Sequence, residues 1–172
     1  MKGVIIGWLL GILSATAAWV GTQHYLDYQK KKEVAAVLLF EVKHNNAVCQ
    51  MFSIMGAKLK AGDQEVQKLV GFKTLAPGDF QTTIFKATLS QQGALSKEIL
   101  NYLHTFYYQL GQIERFRMAK EEPQRTPQDK EFFLGKMFEA GAEATKVAKD
   151  GDLIKALEAA AEGSGIFHVL GL

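Results

Sequence analysis

The chain begins with a long run of apolar and small residues that carries no charge. No Asp, Glu, Lys or Arg occurs between Lys2 and Asp27, and the run from Gly3 to Thr22 consists mostly of Ile, Leu, Val, Ala and Gly. About twenty helical residues, rising about 1.5 Å each, cover the roughly 30 Å hydrocarbon core of a bilayer. This pattern predicts a transmembrane helix, and we assign residues 1–29 to a membrane anchor.

Small side chains recur at every fourth position of this run. The row consists of Gly3, Gly7, Gly11 and Ala15. On a helix these positions share one face, where the backbone of another membrane helix can approach closely. Glycine is common in membrane spans in any case, but three glycines in register favour self-association within the membrane.

Aromatic and basic side chains mark one membrane interface at the end of the run. The predicted interfacial anchor comprises Trp19, Tyr25, Tyr28, Lys30, Lys31 and Lys32. Trp and Tyr are enriched at membrane interfaces, and lysine-rich flanks tend to stay in the cytoplasm. The three lysines outweigh Lys2 on the other side of the span, so we expect a single-pass protein of the cell membrane whose C-terminal domain is cytoplasmic.

Cleavage of the run as a signal peptide is the alternative to a permanent anchor. Ala15-Thr16-Ala17 resembles a small-residue cleavage site, and Lys2 supplies a minimal positive start. However, the apolar run is longer than the usual hydrophobic region of about 7–15 residues, and helix-compatible sequence continues after it. These two features favour retention of the segment.

A stalk helix is predicted from Lys30 to about Lys60, where no proline interrupts the chain. One heptad row comprises Val34, Glu41, Val48 and Met55, and the other comprises Leu38, Asn45, Phe52 and Leu59. This spacing is typical of a coiled-coil seam. Glu41 and Asn45 lie within the seam, where polar groups can fix register and partner number. Alternatively, both contact solvent or a loop at one edge of a helical bundle.

The middle of the chain predicts a helical hairpin, and we assign residues 30–120 to the stalk and this hairpin. Residues 62–80 form a connection, with a short helix at Gln64–Val70 and a turn at Pro77–Asp79, and Asp79 can cap a helix through Leu89. Ser96 then begins an amphipathic helix that ends around Lys120. Its apolar stripe comprises Ile99, Leu103, Phe106, Leu110 and Ile113, flanked by Tyr102, Tyr107 and Tyr108.

We assign residues 121–172 to C-terminal helices and an apolar tail. Thr126 caps a helix with Pro127 in its first turn and Asp129 near its positive end. Its expected buried stripe comprises Phe133, Met137, Ala140, Ala144 and Val147. A last helix begins at Asp152 and ends near Gly163. The tail, residues 166–172, packs on the bundle or docks elsewhere, and packing is favoured because the tail is apolar.

Composition excludes several classes of protein. The 172 residues carry 20 basic and 18 acidic side chains, a net charge of +2, so no broad field of one sign is available to bind nucleic acid. The single cysteine, Cys49, allows no intramolecular disulfide. A hydrophobic content of 48% leaves room for one membrane segment and one modest domain.

Catalytic and metal-binding motifs are lacking in the sequence. Glu41 and His44 have the Glu-x-x-His spacing of di-iron bundles, but neither His104 nor His168 follows a glutamate by three residues. No phosphate-binding loop, nucleophile elbow or His-Glu-x-x-His motif occurs. We therefore expect no enzyme activity, no cofactor and no metal.

Two segments resemble a loose pattern in single-pass bacterial helical membrane proteins of no known activity. They are Phe40–Asn45, after a membrane span and a basic patch, and Ala87–Ser96, which runs on into a helix similar to Ile99–Ile113 with aromatics like Phe106-Tyr107-Tyr108. The similarity covers about residues 5–118, and the basic patch usually contains arginine where this chain has lysine. The resemblance implies the architecture and no activity.

These observations predict an all-α protein with a transmembrane helix continuing into a stalk and a small antiparallel helical bundle. The expected function is that of a membrane-anchored, non-catalytic scaffold or accessory subunit. It would contact the lipid bilayer and assemble through its span and stalk, as a homo-oligomer or within a membrane protein complex. The alternative is a sensory or ligand-binding bundle outside the cytoplasm, with aromatic residues of the second long helix lining a pocket.

Overall fold

The computed structural model describes residues 2–63, 80–149 and 151–163, and for residues 2–7 and 9 it describes the backbone alone. All regular structure in these ranges is helical, which confirms the predicted all-α class. The helices are α1 (Lys2–Lys60), α2 (Thr83–Ala87), a 3-10 helix η1 (Leu89–Ala94), α3 (Lys97–Glu121), α4 (Pro127–Lys149) and α5 (Leu153–Glu162).

Helix α1 is a single helix of 59 residues that joins the predicted span to the predicted stalk without a break. It ends where the sequence predicted. Gly62 has a φ of +78°. The N–H groups of Gly62 and Asp63 donate to the carbonyls of Leu59 and Lys58, respectively, with an N···O distance of 3.1 Å in each bond. These two bonds form a Schellman motif, which satisfies the last carbonyls of the helix and needs a residue that tolerates positive φ.

The bundle is built around α4, which packs against both α1 and α3. Helices α4 and α5 run antiparallel to α1. Phe138 lies beside Gly56, and Gly141 lies beside Phe52, so residue numbers increase along α4 in the direction in which they decrease along α1. The short connection after α3 folds the chain back, and α5 then continues in the direction of α4, since Glu158 pairs with Lys43 and Gly163 contacts Tyr28. The structure thus confirms a helical bundle that packs on the long first helix.

Capping predictions for α3 and α4 are confirmed in atomic detail. Ser96 Oγ accepts the Ile99 N–H over 3.3 Å. At the start of α4, Thr126 Oγ1 accepts the Asp129 N–H over 3.2 Å, and Asp129 Oδ2 accepts the Thr126 N–H over 3.0 Å. This reciprocal pair is a capping box with Asp in place of Glu. The predicted stripe of α3 is also buried throughout.

The predicted stripe of α4 was partly wrong. Met137, Ala140 and Ala144 are buried, but Phe133 and Val147 are partly exposed. The additional buried residues are Leu134, Phe138, Gly141 and Ala148. The reason is that α4 has α1 on one side and α3 on another, so its buried face is wider than a single stripe and centred on a different line.

The amino-terminal part of α1 extends away from the bundle. Every described side chain from Trp8 to Asp27 is exposed, including those of Trp19 and Tyr25. Among the residues whose placement is described, no helix combines the length and the mean hydropathy needed to cross a membrane. The surroundings of Gly3 and Gly7, the predicted elements at Gln64–Val70 and 77–79, and the tail at 166–172 lie outside the described residues.

Candidate functional site

A buried acidic residue at the middle of α1 organises the segment that precedes α3. Glu41 is fully buried. Its carboxylate oxygens accept hydrogen bonds from the backbone N–H groups of Ile84 and Phe85, at N···O distances of 2.8 Å and 3.1 Å. These are the second and third residues of α2, whose own N-cap residue, Thr82, makes no side-chain cap bond. Glu41 therefore caps α2 from another helix. The interaction between its negative charge and the positive end of the α2 dipole is also favourable.

Tyr107 of α3 completes the coordination of this carboxylate. Its hydroxyl donates a buried hydrogen bond to Glu41 Oε1. The Phe85 ring stacks on the Tyr107 ring with 3.8 Å between centroids. Burial raises the pKa of Tyr107, and the hydrogen bond and negative charge of Glu41 raise it further. The phenol therefore remains protonated at physiological pH and acts as a hydrogen-bond donor.

Asn45, one turn after Glu41, holds Gln81, two residues before α2 begins at Thr83. Its Nδ2 donates to the Gln81 carbonyl over 2.6 Å, and its Oδ1 accepts the Gln81 N–H over 2.9 Å. Two bonds to one residue fix that piece of backbone much as a neighbouring strand would. The next residue, Asn46, is also buried, and its Oδ1 has no hydrogen-bond partner among the described residues.

The two polar residues of the predicted seam thus contact a connecting segment of their own chain. This arrangement corresponds to the alternative in which Glu41 and Asn45 contact a loop at the edge of a bundle. Sequence reasoning missed their partners, Gln81, Ile84 and Phe85, because the partners are backbone groups 36 to 44 positions away. The only signal was the cost of burying an acidic side chain, which requires nearby donors.

A cavity of about 610 Å³ lies beside this cluster, between the α2 region and α3. Its wall includes Phe80, Phe85, Leu89, Tyr107 and Leu110, and its charged lining residues are Lys86 and Glu114. Of the three tyrosines that flank the α3 stripe, Tyr107 is the one in the cavity wall. Tyr102 hydrogen-bonds Glu98, and Tyr108 is exposed. Such a lining is typical of sites for largely apolar ligands.

Of the predicted interfacial residues, Tyr28 and the three lysines lie where α1 enters the bundle, whereas Trp19 and Tyr25 are exposed on the part of α1 that extends away from it. The Tyr28 hydroxyl donates to the carbonyl of Gly163, at the end of α5, over 3.1 Å. Lys30 and Lys31 line a shallow cavity of about 520 Å³ that also includes residues of η1, while Lys32 is partly exposed. Tyr28 therefore ties the end of α5 to α1 just before the predicted stalk begins at Lys30.

The candidate metal and thiol groups are engaged or buried. Within the described residues, no three His, Cys, Asp or Glu side chains come together as metal ligands. The oxygens of Glu41 accept N–H and O–H donors, so this residue of the Glu-x-x-His spacing is used to cap α2. Cys49 is buried, and burial raises its pKa to about 12, which keeps the thiol protonated and a poor nucleophile.

Comparison with known proteins returned no match from protein-family models, curated proteins or solved structures. The loose resemblance to single-pass bacterial membrane proteins therefore rests on the sequence segments quoted above.

Proposed function

We propose that the protein is a non-catalytic, membrane-anchored helical scaffold or accessory subunit of a membrane-associated complex. One observation carries the proposal. The helix that forms one side of the bundle continues without a break into a segment that has no charge between Lys2 and Asp27 and exposes large apolar side chains. An exposed surface of this kind is stable in lipid or against a partner rather than in water.

The contacts at the base of the bundle support a rigid connection to the anchor. The bond to Gly163 is made by Tyr28, one of the aromatic residues expected at the membrane interface. Because α1 is continuous, displacement of the anchor would move the bundle with it. A platform held at a fixed height above the membrane is suited to presenting a surface to a partner.

The buried polar cluster supports a structural role. Glu41, Tyr107 and Asn45 direct their polar atoms toward backbone and toward each other. An acid used as a general acid or base would instead be directed at a cavity or at solvent. We therefore assign the cluster to holding the α2 segment on α1.

Gentle purification tests the assembly part of this proposal. The full chain, tagged at its C-terminus, is extracted from membranes in a mild detergent and separated by size under non-denaturing conditions. We expect a complex that contains more than one polypeptide chain, with several copies of this protein or with a membrane protein partner. A strict monomer that brings no companion would contradict a scaffold or accessory role.

A ligand-binding bundle outside the cytoplasm is the second candidate, and the cavity beside Tyr107 favours it. The sidedness of the bundle separates the two. A Gln124→Cys variant places a thiol in the exposed connection between α3 and α4, whereas the native Cys49 is buried. We expect an impermeant thiol reagent to label the variant only after cells are permeabilised. Labelling of intact cells would favour the second candidate.

A further inference from the structure

The stalk part of α1 carries a second apolar face, opposite the one that packs in the bundle. Val37, Phe40, Met51 and Ile54 are 43%, 66%, 62% and 59% exposed, and Ala47 between them is exposed as well. Residues 37, 40, 47, 51 and 54 occupy first and fourth heptad positions, and the partly exposed His44 occupies the first position of the middle heptad. Such a stripe is the pattern of a coiled-coil seam, and no described residue of the chain covers it.

The exposed stripe continues on the same face into the uncharged segment. Gly11, Ala15 and Ala18 precede Ala47, Met51 and Ile54 by 36 positions each. At 3.6 residues per turn, 36 residues make ten full turns, so each pair lies on one line along α1. A Cβ added at Gly11 would have no neighbour within 4 Å, so no residue in the described part of the chain covers this part of the face either.

A second copy of the chain is the partner that fits both parts of this face. From Gly11 to Ile54, α1 rises about 65 Å at about 1.5 Å per residue, so a partner covering the whole face must cross the membrane interface alongside it. A copy inserted in the same direction presents small residues opposite small residues and the apolar stripe opposite itself. This is the self-complementary contact of a two-fold dimer.

The charges near the stripe are compatible with such a contact. Between residues 34 and 57 the charged side chains are Glu41 and Lys43. Glu41 is buried in the bundle, and Lys43 pairs with Glu158 of α5 over 2.6 Å. Parallel pairing therefore opposes no unneutralised like charges between residues 34 and 57, and just before this length the exposed Lys30 and Glu33, at the preceding first and fourth heptad positions, carry opposite charges.

From these observations we infer that the protein forms a parallel homodimer through the outer face of α1, with Phe40, Met51 and Ile54 at the stalk contact. The inference rests on the proposed membrane anchorage, which orients the two copies in the same direction. It also assigns the two apolar faces of the stalk to different tasks. The face with Glu41 and Asn45 packs within the bundle, and the face with Phe40 and Met51 forms the contact between the two copies.

Disulfide cross-linking in membranes tests this inference. In a Cys49→Ala background, Met51→Cys and Ile54→Cys place single thiols on the stripe. Lys60→Cys provides an exposed control on the same helix, because Lys60 is rotated by about a third of a turn around the helix axis from Ile54 and lies off the stripe. After mild oxidation we expect Met51→Cys and Ile54→Cys to form dimers of twice the chain mass, because parallel pairing brings identical positions within disulfide reach. Lys60→Cys should remain monomeric.

A further substitution should weaken the contact while leaving the bundle intact. Phe40→Glu changes an exposed residue, and in the Met51→Cys chain we expect it to reduce the dimer fraction by about tenfold. Stripe thiols that stay monomeric, thiols that link to a different protein, or equal cross-linking of Lys60→Cys would each overturn the dimer.

Each sample is also washed with alkaline carbonate. Protein that stays in the membrane without cross-linking refutes the dimer alone, whereas protein released by the wash refutes the anchorage.

Discussion

The hydroxyl of Tyr107 on α3 donates a hydrogen bond to the carboxylate of Glu41 on α1, across 66 positions of sequence. The same carboxylate caps α2, so one side chain connects three helices. The packing between α1 and α3 is otherwise supplied mainly through α4, which contacts both. The contact therefore closes the side of the bundle that α4 does not cover.

Replacing Glu41 with glutamine should destabilise the bundle. The amide has one oxygen instead of two, and its NH₂ group would face the N–H of Ile84 or Phe85 with no acceptor between them. We expect a loss of about 2–3 kcal/mol in the free energy of unfolding, the cost of an unmet buried hydrogen bond to a charged group. Thermal unfolding followed by circular dichroism measures it. Glu143→Gln, on the exposed face of α4, should change stability by less than about 0.5 kcal/mol. Equal effects of the two variants would refute the capping role.

Replacing Tyr107 with phenylalanine should have a smaller effect. The ring and its stacking on Phe85 are retained, and the hydrogen bond to Glu41 is lost. We expect a loss of about 1–2 kcal/mol, and in combination with Glu41→Gln the two losses should not add, because Glu41→Gln already replaces the charged acceptor of the Tyr107 hydroxyl within the same hydrogen-bond network. Unfolding of the single and double variants gives the coupling. Full additivity would show that the two residues act independently.

The close approach of α1 and α4 depends on Gly56 and Gly141, each of which faces a phenylalanine of the other helix. A Cβ added at Gly141 would lie 2.6 Å from the Phe52 Cβ, a distance that requires the helices to move apart. We expect Gly141→Ala to lower stability by about 1–3 kcal/mol. Gly135, on the same helix, has nothing within 4 Å of an added Cβ, so Gly135→Ala should be neutral or stabilising by about 0.5–1 kcal/mol. If both variants behave alike in thermal unfolding, the packing of α4 on α1 is different.

Alkaline pH should destabilise the fold through Cys49. Burial raises the pKa of this thiol from 9.0 to about 12. Above pH 9 the unfolded chain loses the thiol proton while the folded chain keeps it, so stability present below pH 9 is lost as pH rises toward 12. We expect the slope of unfolding free energy against pH to be steeper than in Cys49→Ala by up to about 1.4 kcal/mol per pH unit. Parallel slopes would show that the thiol is accessible to water.

Local signals predicted much of the fold. The end of α1 at Gly62, the cap at Ser96 and the capping box at Thr126 and Asp129 depend on residues within three or four positions of each other, so they can be read from short segments. The stripe of α3 was equally regular and contacts the core along one line.

Features that depend on distant partners were not predictable in the same way. The capping of α2 by Glu41 joins residues more than forty positions apart, and nothing near Ile84 indicates it. Helix α4 packs on two neighbours at once, so the periodicity of Phe133 and Val147 gave the wrong centre for its buried face. The sequence showed one heptad seam through Glu41 and Asn45, and it did not show whether a second chain or a loop of the same bundle would contact it.

The most direct test of the account is the fate of the first 26 residues in cells. Membranes from cells expressing the full chain are washed with alkaline carbonate, and the retained protein is analysed by intact mass and N-terminal sequencing. We expect the protein in the membrane pellet with the segment from Gly3 to Leu26 still attached. Recovery of a soluble chain that begins near Trp19 would contradict the anchorage and, with it, the proposed scaffold at the membrane.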